Sequence, residues 1–492
     1  MLKKIQDMWR QIAFGKNALA YGMGNIGLRA ASFLLIPVYT RSLSLGDYGL
    51  LATLLAITQV LTILIDAGLR KAQFRFTLHY QDQGRLGELL GTSILMNFIN
   101  GAIVLLLCIG VGLPFFRLLL HTDQVIGYVV LSCAAALCQS LFVYITGYYR
   151  TRSEPVRFTM CTITAAVLLL IFSAIFLIIF HEGIKAALMA QVIAYGALWL
   201  FLAVAVLRQT GVGLSAEIAS VLVRYGSPLI LVAAGHLITD SAALFFLGHF
   251  RSLEEVAVYS LGYKLAQIAG MVLILPFQME YEIFVYANLQ SPNIRSTISQ
   301  LTTNLMFAFA FIAFGVAYWS RDVLALIAPP AYASAYLVVL LSVPFSAFDG
   351  ISYIGESLLN IQKKTYVTAI TVTSFSVLAI VLDYLLIPSW GIWGVVTASA
   401  VNLTGSGVCV MAFGLKSFPI RLQRRRLAGA ALLLASLLAG VFFLKRTSPF
   451  IFYGFPPFFV VVLSMLPPVR RRFRYQTSVL FGYRTGASVG QD

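Results

Sequence analysis

Residues 158–180 read FTMCTITAAVLLLIFSAIFLIIF, which is 23 consecutive residues without a charged side chain. About 20 apolar residues in an α-helix cross the hydrocarbon core of a bilayer, so this stretch predicts a transmembrane helix. The whole chain shares this character, because 59% of its 492 residues are hydrophobic and only 11% are charged. A soluble domain carries about 25% charged residues, so this composition excludes a soluble globular protein.

Apolar runs of the same kind recur along the whole chain and predict an all-α integral membrane protein with about 14 transmembrane helices. No long stretch alternates apolar and polar residues with a period of two, so membrane-spanning β-strands are not expected. The predicted spans are 17–38, 48–68, 88–112, 125–147, 158–180, 186–207, 226–249, 257–279, 299–319, 332–355, 366–387, 391–415, 427–444 and 449–467.

The net charge of +16 follows the predicted topology. Of the 35 Lys and Arg residues, 26 lie in the termini and one set of alternate loops, 7 lie in the other set, and Arg29 and Lys264 lie within spans. Because positively charged loops stay on the cytoplasmic side, this bias predicts that both termini are cytoplasmic. The charge therefore indicates no nucleic-acid partner, and its clusters also suit anionic membrane lipid.

Three pairs of short motifs indicate an internal repeat of six spans. The pairs are Tyr21-Gly22 with Tyr225-Gly226, Arg41-Ser42-Leu43 with Arg251-Ser252-Leu253, and Gly183-Ile184 with Gly391-Ile392. Their shared offset of about 208 residues predicts two lobes that insert the same way round, as in transporters that work by alternating access. The predicted organisation is an interfacial segment at 1–16, an N-lobe at 17–207, a C-lobe at 208–415, a linker with spans 13 and 14 at 416–467, and a basic cytoplasmic tail at 468–492.

The junctions between spans carry the most specific motifs. Span 1 leads into residues 36–43, IPVYTRSL, and spans 11 and 12 are joined by residues 383–394, DYLLIPSWGIWG. In these motifs and in its span count, the chain resembles the polysaccharide-transport flippases, of the O-antigen-flippase type, within the multidrug/oligosaccharidyl-lipid/polysaccharide exporter superfamily. Asp383 departs from the asparagine that is usual in that family.

The resemblance implies a flippase that moves an undecaprenyl-pyrophosphate-linked oligosaccharide from the inner to the outer leaflet of the bacterial inner membrane. Its pathway would be surface or exopolysaccharide synthesis, such as that of the O-antigen of lipopolysaccharide. A V-shaped bundle of two lobes is implied, with spans 13 and 14 near the lipid tail. A polysaccharide polymerase and glycosyltransferases would be partners. Because the sequence has no P-loop motif, transport would be driven by a gradient of an ion such as H⁺ or Na⁺, or by consumption of the substrate outside.

Charged side chains inside spans are costly unless they face a cavity or a partner, so they are the candidates for a substrate site. Arg29, in the middle of span 1, has a planar guanidinium that suits pyrophosphate oxygens. The alternative is a structural ion pair, for which Asp240 in span 7 is the repeat-related partner, while the resemblance adds that lipid II flippases carry an essential arginine in their first span. Lys264 either lines the outer half of the cavity or snorkels to the interface. Asp349, in span 10, is the fourth candidate.

Four residues are candidates for ion coupling. His236 and Asp240 are four residues apart and share a helix face, which fits a proton site, although a histidine bonded to a helix carbonyl is the favoured alternative. Asp383, near the outer end of span 11, either couples an ion or reaches water. Asp66, at the cytoplasmic end of span 2, is the fourth candidate, and the favoured interpretation is that it caps the next segment or pairs with Arg70.

Two other functions stay open. An ion-coupled multidrug antiporter of the same superfamily would have twelve spans and a cavity dominated by carboxylates. A membrane-embedded polysaccharide polymerase or ligase would need a large outer loop, and none is predicted, so we expect neither an enzyme nor a catalytic residue. No cofactor or metal is expected, because the GxGxxG match at 22–27 opens an apolar span with no preceding strand, and the five cysteines form no CxxC pair.

Overall fold

The chain folds into a helical membrane protein. In the computed structural model, residues 27, 31–120, 123–152, 154–362 and 364–444 are described, and every regular element among them is helical. Ten candidate spans in this part of the chain are long and apolar enough to cross a membrane. Helices satisfy their own backbone hydrogen bonds, as hydrocarbon requires. The predicted all-α membrane fold is therefore confirmed.

The helices run through the described residues in an order close to the predicted one. They are α1 (31–42), α2 (Leu45–Asp66), α3 (Leu69–Asp82), α4 (Leu86–Gly110), α5 (Leu113–Leu120), α6 (Val125–Thr151), α7 (Pro155–Ala174), α8 (Lys185–Thr210), α9 (Ala216–Phe250), α10 (Leu253–Ala287), α11 (Ile294–Ile327), α12 (Ala335–Ser342), α13 (Ala347–Ile361), α14 (Thr365–Trp390), α15 (Ile392–Ser417) and α16 (Arg424–Leu444). A π-helical segment at Ile175–Ile179 extends α7, and a 3₁₀ turn at Pro330–Tyr332 precedes α12.

Most predicted spans coincide with these helices to within a few residues. Spans 2 to 6 correspond to α2, α4, α6, α7 and α8, spans 8 and 9 to α10 and α11, and spans 11 and 12 to α14 and α15. Span 7 lies inside the longer α9, and span 13 matches α16. The end of span 1 is α1, whereas most of 1–30, span 14 at 449–467 and the tail at 468–492 lie outside the described residues.

Three features differ from the prediction. Residues 69–82 fall in a predicted loop but form α3, a polar helix that hydropathy does not detect. The short helix α5 also has no predicted counterpart. Predicted span 10 consists of two helices, α12 and α13, separated at residues 343–346, where Pro344 lacks the N–H that a continuous helix needs.

Contacts between loops and helix ends define one end of the bundle, which we call the basic end. Here the backbones of Gly68 and Gly226 are in contact, where α2 ends and α9 passes. Arg85 binds Glu88 at 2.8 Å and Glu217 at 3.1 Å, and these bonds raise the pKa of its guanidinium. This end carries the predicted Lys- and Arg-rich loops.

The opposite end of the bundle carries the loops that are poor in basic residues. There the Thr40 hydroxyl donates a hydrogen bond to the Ile327 carbonyl at 2.8 Å, so α1 meets the end of α11. Gly391, between α14 and α15, lies against the side chains of Arg251 and Glu255 at the start of α10. These contacts place the loops after predicted spans 1, 7, 9 and 11 at the same end.

Two helix starts at the opposite end reproduce the sequence repeat. The Asp47 N–H donates to the Ser44 hydroxyl oxygen at 3.1 Å at the start of α2, and the Glu255 N–H donates to Ser252 at 3.2 Å at the start of α10. These capping serines stand 208 residues apart, which is the offset of the repeated motifs. The repeat is therefore visible in local structure as well as in sequence.

The chain divides into a compact unit of residues 1–431 and a second unit of residues 432–492. All residues discussed below belong to the first unit. In the second unit, the described residues form the end of α16. The lobe boundaries at 207 and 415 stay predictions.

Candidate functional site

A polar cavity of about 740 Å³ lies between helices from both halves of the chain. The first half contributes α1 and α2, and the second half contributes α10, α13 and α15. The described lining residues are Ser32, Phe33, Ile36, Gln59, Tyr263, Lys264, Gln267, Gly270, Met271, Ile274, Leu275, Gln278, Ser346, Asp349, Ser352, Tyr353, Glu356 and Leu403. We call this space the central cavity.

Two of the four predicted substrate-site residues meet in the central cavity. Lys264 and Asp349 both line it, on α10 and α13. The Lys264 ammonium lies over the ring of Tyr48, with Nζ 5.6 Å from the ring centroid, so it makes a cation–π contact. Because its head points at an aromatic ring inside the bundle, the snorkelling alternative does not describe Lys264.

The central cavity also contains polar residues that the sequence reasoning missed. They are two glutamines on α10, Gln267 and Gln278, one on α2, Gln59, and Glu356 on α13. The pattern was readable in the sequence, because Lys264, Gln267 and Gln278 stand at helical spacings of three and eleven residues. Polar side chains repeated along one face of an apolar span are the signal that finds them.

The cavity extends over much of the depth of a bilayer. On α10 its lining runs from Tyr263 to Gln278, which is about 22 Å along a helix at 1.5 Å per residue. The hydrocarbon core is about 30 Å thick, so the cavity spans some two thirds of that depth, with polar side chains towards both ends of its α10 wall. Near the basic end the wall is fixed by the Tyr353 hydroxyl, which donates to the Gln278 carbonyl at 2.9 Å.

Aromatic and helix packing closes the interface between the two halves at the opposite end. Tyr48 and Tyr332 are each about 2% exposed or less and pack edge to face, with ring centroids 5.6 Å apart. A guanidinium nitrogen of Arg41 donates to the Leu326 carbonyl at 2.8 Å. We call these contacts, together with the Thr40–Ile327 hydrogen bond, the seal.

A glycine makes the seal possible. A Cβ placed on Gly49 would stand 1.8 Å from the carbonyl oxygen of Leu253, so the backbones of α2 and α10 touch there. A Cβ on Gly46 would meet the Glu254 carboxylate at 3.4 Å, one turn away. Any side chain at Gly49 would push the two helices apart.

Asp383 lies beside the central cavity rather than near water. It is 2% exposed, and its Oδ1 atom has no hydrogen-bond partner among the described side chains. A small space of about 20 Å³ separates it from Ser399 and Asn402 on α15. Tyr263 lines both this space and the central cavity, so the two adjoin. The alternative that Asp383 reaches water is therefore wrong, because helix packing covers it.

The remaining predicted residues are either structural or outside the described part. Asp66 accepts a hydrogen bond from the Arg70 backbone N–H at 3.3 Å, so its carboxylate caps the start of α3. Arg29 and the side chains of His236 and Asp240 lie outside the described residues. Whether Arg29 faces Asp240 stays a prediction.

The helical arrangement is similar to that of solved membrane transporters. The lipid II flippase MurJ, in an inward closed conformation, gives a TM-score of 0.68 at 10% identity, over 89% of this chain and 94% of that one. A point mutant of the Vibrio cholerae MATE transporter VcmN gives 0.57 at 18% identity, over 83% of this chain and 97% of that one. An inward-facing multidrug resistance MATE transporter of the MOP superfamily gives 0.56 at 15% identity, over 85% of this chain and 95% of that one. The chain therefore has the helical fold of these membrane transporters, in agreement with the predicted fold class.

The family follows from the sequence itself. The family model described as "Polysaccharide biosynthesis protein" matches residues 14–279, which is more than half of the chain. The chain belongs to this family of multi-pass membrane proteins, and the resemblance noted in the span junctions is confirmed. A search of curated proteins finds no match to the sequence.

Proposed function

We propose that the chain is a flippase for a polyprenyl-pyrophosphate-linked oligosaccharide, moved from the inner to the outer leaflet by alternating access. The observation that carries the proposal is a deep polar cavity, enclosed by both halves of a membrane protein that belongs to a polysaccharide biosynthesis family. A cavity of this kind gives a hydrophilic head group a path through hydrocarbon, while a polyprenyl tail stays in lipid.

The lining chemistry suits a sugar head group. Amides such as Gln59, Gln267 and Gln278 each offer donors and an acceptor, and carboxylates such as Asp349 accept hydrogen bonds from hydroxyl groups. The volume of about 740 Å³ falls in the range of ligand pockets and leaves room for several sugar units. Lys264, at the deep end beside the seal, is the described cation able to bind a phosphate oxygen there.

The seal supports an alternating-access mechanism. With the opposite end held shut, the polar lining continues from Lys264 towards the basic end as far as Gln278 and Glu356. Under the positive-inside rule the basic end is cytoplasmic, so this arrangement is one that loads substrate from the inner leaflet. Release to the outer leaflet then requires the seal to open and the basic end to close.

Under the same rule both termini would be cytoplasmic, and the family resemblance implies that the membrane would be the bacterial inner membrane. Its working partners would be the glycosyltransferases that build the lipid-linked unit and the polymerase that consumes it. The product would be a surface or exopolysaccharide, of which the O-antigen of lipopolysaccharide is one kind.

Deletion of the gene in its host tests the proposal. We expect lipid-linked repeat units to accumulate in the inner leaflet and surface polysaccharide to disappear, with both restored by the wild-type gene. Normal surface polysaccharide, or lipid-linked units that reach the outer leaflet at the usual level, would refute it. A matched pair of variants, Lys264→Met and Lys364→Met, tests whether the lysine in the cavity is required. Lys364 is the control because it is an exposed lysine outside the cavity. Only the first variant should fail to complement.

A second candidate function is ion-coupled antiport of small molecules. It is favoured by the carboxylates Asp349 and Glu356 in the cavity, and by buried Asp383 facing a space large enough for one ion or water. Coupling to H⁺ or Na⁺ would use Asp383 as the group that gains and loses a cation. A drug-susceptibility panel on the deletion strain separates the candidates, since an antiporter predicts sensitisation with surface polysaccharide unchanged.

A further inference from the structure

A second large pocket lies at the basic end of the first half, apart from the central cavity. It has a volume of about 720 Å³ and is formed by α3, α6 and α7. Its described lining residues include Arg70, Lys71, Phe74, Phe142, Arg150 and Phe158, and the pocket shares no described lining residue with the central cavity. We call it the basic-end pocket.

The rim of the basic-end pocket is cationic. Arg70, Lys71 and Arg150 are exposed, and none has a carboxylate partner within 4 Å in the described part of the chain. Asp66 interacts electrostatically with Arg70 and Lys71, and its carboxylate also accepts a hydrogen bond from the Arg70 backbone N–H at 3.3 Å. No acidic residue appears among the described lining residues, so the rim has a net charge of +3.

Two arginines near the pocket do form ion pairs. On the same loop, Arg152 and Arg157 share Glu154, at 3.7 Å and 2.8 Å. Arg150 instead lies over the ring of Phe74, with its guanidinium carbon 5.4 Å from the ring centroid. This cation–π contact orients the guanidinium and leaves its N–H groups available for an anion.

The inner wall of the pocket is apolar, so together with the cationic rim it suits a phosphate group that is attached to an apolar chain. Phe142 and Phe158 line its apolar inner part but are only 1% and 8% exposed, so the half-buried ring of Phe74 is the aromatic surface that a ligand can reach. Gly147 allows α3 to approach α6, since a Cβ there would stand 3.2 Å from the Gln73 amide oxygen. The same Gln73 side chain is fully buried, and neither of its polar atoms has a partner among the described residues.

The outer face of α7 shows what surrounds the pocket. Val156 and Met160, in its first two turns, are 61% and 64% exposed, as expected of side chains that face lipid. Pro155 begins the helix at the basic end, so the pocket stands where phospholipid head groups meet acyl chains. Anionic lipid on the cytoplasmic side is the phosphate compound that concentrates at that depth.

We propose that the basic-end pocket binds the phosphodiester head group of an anionic phospholipid. Arg70, Lys71 and Arg150 bind the phosphate oxygens, and the ring of Phe74 contacts the glycerol and the first acyl carbons. The site does not depend on what the central cavity transports, so the two proposals can fail independently.

The test measures phospholipid retained by the purified full chain. The protein is placed in nanodiscs of phosphatidylcholine with a minor fraction of phosphatidylglycerol, and bound lipid is counted by native mass spectrometry after release into detergent. We expect wild-type protein to retain phosphatidylglycerol selectively. The triple variant Arg70→Gln, Lys71→Gln and Arg150→Gln should bind it about 100-fold more weakly, a factor of about five for each cation lost. Arg157→Gln is the matched control, since Arg157 is an exposed arginine at the same end with its own acidic partner.

Three results would overturn the proposal. Equal retention by the wild type and the triple variant would show that the pocket does not hold the lipid. Equal loss in Arg157→Gln would show that general surface charge is responsible. Displacement of phosphatidylglycerol by millimolar glycerol phosphate or inorganic phosphate would show that a soluble phosphate is the ligand instead. Normal membrane insertion and a normal elution profile of the triple variant establish that it is folded.

Discussion

The two ends of the central cavity are built from different chemistry. At the opposite end the two halves meet through aromatic rings and touching backbones, at Tyr48, Tyr332 and Gly49, with few hydrogen bonds between them. Towards the basic end the lining includes amide and carboxylate groups, at Gln278 and Glu356, among apolar side chains such as Ile274 and Leu275. Helices held by close packing, without a charge network, can separate and re-form at a modest cost in free energy. Polar groups in a membrane, by contrast, need a ligand or water as hydrogen-bond partners. The difference indicates a gate at one end and a binding surface below it.

The largest effect is expected from breaking the gate. Gly49→Leu places a side chain where even a Cβ would overlap the carbonyl oxygen of Leu253, so closing the seal becomes less favourable. Overpacking costs on the order of 1–3 kcal/mol, which shifts the closed state by roughly 5- to 150-fold, and transport should fall accordingly. The measurement is the flipping rate in proteoliposomes. Gly127→Leu is the control, because nothing lies within 4 Å of a Cβ at Gly127. A wild-type transport rate in Gly49→Leu would show that helix packing at Gly49 does not form a gate.

The next largest effect should come from the binding surface. Lys264→Met keeps the length of the side chain and removes the charge that lies over Tyr48. A charge-assisted hydrogen bond contributes about 1.5–3 kcal/mol, so transport of a pyrophosphate-linked substrate should fall roughly 10- to 150-fold. Flipping of a neutral glycolipid, if it occurs, should not fall. An equal loss for both substrates would mean that Lys264 stabilises the seal rather than binding the anion.

A smaller and more selective effect is expected beside the cavity. Asp383→Asn keeps the shape of a buried side chain that is 2% exposed and removes its ability to exchange a cation. We expect transport to lose its dependence on the H⁺ or Na⁺ gradient and the basal rate to change only a few-fold. Rates measured with and without each gradient check this, with Asp322→Asn as a control at a carboxylate that lines neither described space. An unchanged gradient dependence in Asp383→Asn would exclude Asp383 as the coupling group.

The smallest effect should come from the edge of the seal. Arg41→Ala removes one exposed hydrogen bond to the Leu326 carbonyl. A hydrogen bond of this kind contributes about 0.5–1.5 kcal/mol, so the closed state should weaken by at most about tenfold. Spin-label distances across the opposite end should show a modestly larger open fraction. A collapse of transport equal to that of Gly49→Leu would show that polar contacts, rather than helix packing, hold the gate.

The sequence predicts the membrane fold well because burial in lipid imposes a strong and local pattern. Each span needs about 20 apolar residues, and loop charge then fixes the alternation. The elements it missed break that pattern. The polar helix α3 is stabilised by packing on its neighbours, and the interruption around Pro344 divides one apolar run into two helices.

The site is only partly predictable from sequence, since a cavity is made by residues far apart in the chain. Lys264 and Asp349 were found because a charge inside a span is conspicuous. Gln59 and Gln267 are uncharged, so the charge criterion does not select them, and only the structure places them in one cavity. Gly49 carries no chemical signal at all, and its importance follows only from the backbone contact with Leu253.

The most direct test of the account is a flipping assay with the purified protein. Liposomes containing a fluorescent polyprenyl-pyrophosphate-linked oligosaccharide are exposed to a membrane-impermeant reagent that oxidises sugar diols, and the protected fraction is followed with time. We expect wild-type protein to move labelled lipid from the inner leaflet to the outer leaflet, where the reagent oxidises it. In liposomes with Gly49→Leu or Lys264→Met this oxidation should be far slower. A protected fraction that stays the same in liposomes with wild-type protein and in empty liposomes would contradict the central claim.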